Sequence, residues 1–187
     1  MHSDGIDVNI DFKCKQCGNC CRINKYLPLT LDDIFLISEY LNISADDFFK
    51  EYCVEIPCGE NKIPMPYLKS EGSGCAFLED GLCSIHFVKP VICSSMPSTI
   101  FGPFQYIRSK MPPGCAIHQL KPVISLNDDK KTGENYMISM ILTTAYYSAH
   151  KTFNFSLARP YIYRILLIKR NRKDIFDVIN TYTKVTN

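Results

Sequence analysis

The chain has 187 residues, 46% of them apolar and 21% charged, an ordinary globular balance that excludes a disordered tail. That length holds one core-bearing domain, expected over residues 1–187. Lysine and arginine number 21 against 19 aspartates and glutamates, so net charge singles out neither nucleic acid nor an acidic partner.

Ten cysteines are the anomaly. Their density is below that of small disulfide scaffolds and well above that of an ordinary cytosolic domain. The first thirteen residues lack the apolar core of a secretory signal. The longest apolar run, Ile162–Ile168, is interrupted by Arg164 and falls far short of the roughly 20 residues that span a membrane. A cytoplasmic, reducing setting without a membrane is therefore expected. There, clustered cysteines are metal ligands or redox groups more often than disulfides.

In chain order, the segment through Arg22 is polar and dominated by cysteine. A helix should follow: Thr30 can cap it, Asp33 sits three positions on, Leu31, Ile34, Phe35, Ile37 and Leu41 keep the helical repeat, and Asn42 closes it. Ser44 caps a second helix over residues 45–52, with acidic residues in its first turn. From Val54 to Gly74, prolines and glycines without a period predict irregular backbone, with a short extended piece at Met65–Leu68. Asp80-Gly81 between apolar runs predicts a hairpin with Cys75 and Cys83 at its two ends. Lys89-Pro90-Val91 opens a short helix, and Phe101–Ile107 reads as a strand. Asp128-Asp129 falls in a polar loop. Asn135 to His150 is a helix apolar on most sides, Pro160 begins another running to about Lys169, and Lys173–Thr183 forms a last one. Residues 151–187 carry eight basic and two acidic side chains, which reads as a solvated helix face or, alternatively, as a contact for nucleic acid or an acidic partner.

Cys14, Cys17, Cys20 and Cys21 carry the strongest signal. Two residues between thiols let both fold back onto one centre, and Gly18 frees the backbone to turn tightly. Three thiolates at this spacing are similar to part of a bacterial ferredoxin ligand set, completed by a fourth from elsewhere. Neighbouring side chains point apart, so Cys20 and Cys21 suit two metals, or one ligand and one supporting thiol. Cys75, Cys83, Cys93 and Cys115 form a second group, separated by seven, nine and twenty-one residues. Eight thiols suit two four-thiolate sites, a binuclear site or two cubane clusters. Cys53 and Cys58 are left over and read as small apolar residues. His86 and His118, near Cys83 and Cys115, read as structural, with reserve ligation as the alternative.

Taken together, Phe12-Lys-Cys14-Lys-Gln-Cys17-Gly-Asn-Cys20-Cys21, the Thr30-Leu-Asp-Asp-Ile helix start, Gly74-Cys75 through Cys83-Ser-Ile-His86, Lys89-Pro90-Val-Ile-Cys93 and Pro113-Gly114-Cys115 resemble the zinc- or iron-chelating CxxCxxCC family, also called YkgJ-like. The likeness runs from residue 12 to about residue 120. Lys89 and Ser94 stand where that family usually carries arginines. The resemblance implies an eight-cysteine metal set: Cys14, Cys17, Cys20, Cys21, Cys75, Cys83, Cys93 and Cys115. Longer proteins with the motif include flagellin lysine-N-methylases, associated with an iron–sulfur cluster, which implies an iron–sulfur cluster of the 4Fe-4S type here, with zinc as the alternative.

The fold expected is α+β: a cysteine-rich, largely irregular metal-binding half (12–120) with a short β-hairpin, packed on several helices, the last of them in 121–187. The function expected is a cluster, electron-transfer or accessory protein with a protein partner. Two alternatives stand beside it, a metal- or cluster-dependent enzyme similar to the lysine-N-methylases and a zinc-stabilised interaction module. No catalytic residue is singled out.

Overall fold

A computed structural model describes residues 14–23, 26–72, 74–95, 108–109, 111–119 and 128–171. A short helix, α1 (Asn19–Ile23), starts inside the leading cysteine run, and strand β1 (Leu27–Pro28) leads into α2 (Leu31–Leu41). The capping chemistry read from sequence is in place. The Asp33 N–H donates to the Thr30 hydroxyl while the Thr30 N–H donates to the Asp33 carboxylate, and Asn42 ends the helix in the left-handed region at φ 56°. Ser44 caps α3 (Ala45–Tyr52) by accepting the Asp47 N–H at 3.0 Å. Ser44→Ala should cost about 1 kcal/mol, seen as a lower urea midpoint with an unchanged slope.

The stretch expected to be irregular is instead mostly a hairpin, β2 (Cys53–Cys58) and β3 (Ile63–Leu68), with strand order β1-β3-β2. Its three prolines fit because of ladder parity. Pro66 turns its carbonyl towards β1, accepting from the Leu29 N–H, whereas the Lys69 N–H points the other way to Tyr52. Backbone direction alternates along a strand, so Pro64 and Pro66 place their missing donors on the β1 side, where only two residues pair. Pro57 lies opposite Pro64, likewise away from the bonded pairs of the β2–β3 ladder.

Two miniature hairpins follow. β4 (Ser70–Glu71) pairs with β5 (Gly74–Cys75), and β6 (Leu78–Glu79) pairs with β7 (Leu82–Cys83). Asp80 and Gly81, at φ 48° and 81°, make the two-residue turn expected from Asp-Gly. Cys83 ends that hairpin, but its cross-strand partner is Leu78, and Cys75 belongs to the neighbouring one. A 3-10 turn (His86–Val88) and α4 (Val91–Ser95) come next, with Pro90 immediately before the helix. The strand expected at Phe101–Ile107 and the helix at Lys173–Thr183 lie outside the described residues.

Helix α5 spans Asp128–His150, so Asp128 and Asp129 open a helix rather than lying in a loop. Its fully buried face runs through Ile138, Ser139, Leu142, Thr143, Tyr146 and Tyr147, whereas Met137 is exposed. Helix α6 spans Phe155–Asn171 and begins five residues before Pro160, because Asn154 accepts the Leu157 N–H with its side chain and the Ala158 N–H with its carbonyl. Proline then costs one bond to the exposed Ser156, whose carbonyl water can reach.

These elements make the α+β fold expected. The core has two parts that meet at α2. Leu31 packs with Met65 of β3 and the buried faces of α5 and α6, while Ile34 and Ile37 pack with Phe48, Leu68, Phe77 and Ile85. Phe77 lies between the cysteine hairpins and stacks on Phe48 and Tyr52, at ring-centroid distances of 6.3 and 5.0 Å. It thereby anchors the cysteine-rich segment to α3. Among the described residues no helix is long and apolar enough to cross a membrane.

Candidate metal centre

Three distant segments dock on the leading cysteine run. Gly18, at φ 70°, lies so close to the second hairpin that an added Cβ would stand 2.7 Å from the Gly81 carbonyl oxygen. A Cβ at Gly74 would stand 2.8 Å from the Cys21 carbonyl oxygen. The third contact is a hydrogen bond from the Asn19 amide to the Pro113 carbonyl at 3.1 Å, which holds the segment ending in Cys115. Arg22 closes the loop, donating to the Cys17 carbonyl and the Asn19 side chain. Gly18→Ala combines a left-handed backbone with a backbone clash, so a loss of about 2–4 kcal/mol is expected, with metal content falling too. Thermal denaturation and elemental analysis of one preparation check both.

The thiols sense one another. Cys20 is lowered to about 6, first because the Cys21 thiol donates a hydrogen bond to it, against burial, and then through backbone N–H groups and the Lys89 charge. Cys21 is pushed up by that same hydrogen bond, by burial and by the negative charge of Cys20, Cys75 and Cys83. Burial raises Cys93 first, followed by Cys20, Asp33, Cys75 and Cys83. Cys115 is raised by burial and then by Cys17, Cys20 and Cys14. Burial also raises Cys75 and Cys83, with Cys83 and Cys20 adding to the first and Cys14 and Cys20 to the second. Cys20 is thus the common neighbour of Cys21, Cys75, Cys83, Cys93 and Cys115, while Cys14 acts on both Cys83 and Cys115.

A cavity of about 30 Å³ lies among Cys20, Cys21, Cys75 and Cys93, walled by Leu27, Leu68 and Lys69. All ten cysteines are free thiols. Among the described residues, no three His, Cys, Asp or Glu side chains are already arranged to hold an ion. The donors fit a thiophilic metal in kind, being soft sulfur gathered by backbone contacts, and ligation would require the side chains to draw inward.

The remaining candidates are engaged elsewhere. Cys53 is buried in the core and pushed up to about 12 by that burial, the behaviour of an apolar thiol. Cys58 contacts the Tyr67 hydroxyl at 3.3 Å and the Ile56 carbonyl. His118 Nε2 sits 3.2 and 3.1 Å from the Met111 and Pro112 carbonyls, so it donates there and braces the approach to Cys115. His86 stands 3.5 Å from the Lys89 ammonium and is lowered by burial and by that charge. Sequence reading missed Asn19, Arg22 and Lys69. The first two lie in or beside the motif and were legible as candidates, whereas nothing local marks Lys69, whose ammonium caps the Lys50 and Glu51 carbonyls at the end of α3.

A family model covers residues 13–137, under the description "Putative zinc- or iron-chelating domain" of the CxxCxxCC type. The chain belongs to this family. The match takes in all eight motif cysteines and continues into α5, beyond the likeness read from sequence. Metal binding, of zinc or of iron, is thereby supported for this CxxCxxCC protein. No curated protein and no solved structure matches the chain.

Proposed function

We propose that the eight cysteines hold iron–sulfur in two adjoining four-thiolate sets, and that the protein passes electrons or clusters to a protein partner. Cys14, Cys17, Cys20 and Cys115 would form one set; Cys21, Cys75, Cys83 and Cys93 would form the other. The observation that carries the reading is exposure. Cys14 and Cys17 face solvent, whereas Cys20, Cys21, Cys75, Cys83 and Cys93 are half-buried and Cys115 is buried. An exposed sulfur edge suits transfer, because it gives a docked partner access to the centre and solvent exposure helps set a cluster's potential. Bound there, such clusters supply one-electron chemistry, while Lys89 offsets part of the thiolate charge near Cys20 and Cys83.

The test is the iron and acid-labile sulfide content of anaerobically purified protein. About eight of each per chain, with brown absorbance and a paramagnetic signal on reduction, is expected for two cubanes. Colourless protein with about two zinc ions and no sulfide would overturn it and leave the second reading, a pair of zinc sites. One observation favours that alternative: the cavity among Cys20, Cys21, Cys75 and Cys93 has roughly the volume of a single water or ion.

A further inference from the structure

We infer that Asp33 is a positioning residue for Cys93, setting where that thiol meets the second set through a hydrogen bond to the start of α4. The inference rests on the reading of Cys93 as a ligand.

Asp33 is 4% exposed and divides its two oxygens between two helices. Oδ2 accepts the Thr30 N–H at 2.9 Å and the Thr30 hydroxyl at 2.7 Å, which locks the carboxylate into the cap of α2. Oδ1 accepts the N–H of Val91, the first residue of α4, at 2.7 Å. Cys93 lies two residues further on and reaches the cavity shared with Cys20, Cys21 and Cys75. A helix of five residues has no stability of its own, so tertiary contacts must decide where it sits. Its other hydrogen bonds to described residues are local: Ser94 to Pro90 and Lys89, and Ser95 to Val91. Among its hydrogen bonds to described residues, the one to Asp33 ties this turn to the cap of α2, while α4 also packs against α5. A capping box would need only one carboxylate oxygen, and the second is committed to the segment that carries a candidate ligand.

The experiment maps alkylation of each cysteine by mass spectrometry in the full, metal-loaded chain, in parallel with Co(II) reconstitution and its thiolate charge-transfer spectrum. In Asp33→Ala, Cys93 should be labelled about tenfold faster than in the wild type, the population change expected when one charge-assisted hydrogen bond is lost. Cys14 and Cys17 should keep their wild-type rates, and the charge-transfer intensity should fall. Asp33→Asn, whose amide oxygen can still accept from Val91, should retain much of the protection. Val91→Pro removes the donor at a first helical position, leaves the α2 cap intact, and should reproduce the exposure of Cys93 even where Asp33→Ala folds poorly. Ser44→Ala serves as the stability control, and should leave Cys93 protected. Wild-type protection of Cys93 in both Asp33→Ala and Val91→Pro, or a rise equal at every cysteine, overturns the inference while the ligand reading stands. Equal labelling of Cys93 in metal-loaded and metal-stripped wild type overturns both.

Discussion

Cys17→Ser is expected to strip metal and lower thermal stability together. The side chain is exposed and serine is nearly isosteric, so little packing is lost by the exchange itself. In the proposed ligation, what goes is a thiolate of the set that includes Cys20, and a set that gathered chain from Cys14 to Cys115 would contribute its binding energy to folding. Loss of at least half the bound metal is expected, with a drop in the thermal midpoint on the order of 10 °C. The same exchange at Cys58, which contacts Tyr67 and Ile56 away from the centre, should leave the metal in place. Binding should also release protons. Cys21, Cys75, Cys83, Cys93 and Cys115 are all raised in the metal-free chain, so each must lose a proton on ligation and affinity should climb as pH rises. Elemental analysis of the two serine variants decides it: unchanged metal in Cys17→Ser removes Cys17 from the centre.

Local chemistry was legible and long-range geometry was not. Thr30, Asn42 and Ser44 act within one turn of themselves, and α2 and α3 begin and end where those residues indicate. The leading cysteine spacing was readable for the same reason. Prolines hid the β2–β3 hairpin because a proline counts against a strand only when its missing N–H faces a neighbour, and that parity depends on where β1 pairs. Asp80-Gly81 marks a turn but not the extent of pairing, which stops at Leu78, so Cys75 falls in the neighbouring hairpin and not at the end of this one. The start at Asn154 is masked in the sequence by Pro160, a more conspicuous helix-start signal six residues on. The bond from Asp33 to Val91 crosses 58 positions and has no local signature at all.

The other large effect expected lies at Asp32, where α2 meets α5 and α6. Its carboxylate is 2% exposed and takes the Lys169 ammonium at 2.6 Å and the Ser139 hydroxyl at 3.1 Å, while the Thr30 hydroxyl, 2.8 Å away, shares its one proton between this carboxylate and that of Asp33. Asp32→Ala would strand a largely buried ammonium and a fully buried hydroxyl, an outcome that costs about 3–5 kcal/mol. The pair also has a pH signature. Asp33 is raised to about 7, first by burial and then by the negative charge of Asp32 beside it. An unfolded aspartate ionises near 4, so between about pH 4 and 7 the folded chain holds a proton that the unfolded chain has lost. The stability this contributes is full at the acid end and disappears as pH rises to about 7. Removing Asp32 deletes the second cause and brings Asp33 closer to its ordinary value, so the variant should lose less over the same range. The gap between wild type and Asp32→Ala, measured by urea denaturation, should therefore be wider at about pH 5 than at about pH 7. Metal release on acidification affects both proteins and drops out of the difference. Parallel curves would mean that the Asp32 charge does not reach Asp33, and a loss below about 1 kcal/mol would mean that Lys169 finds water once its partner is gone.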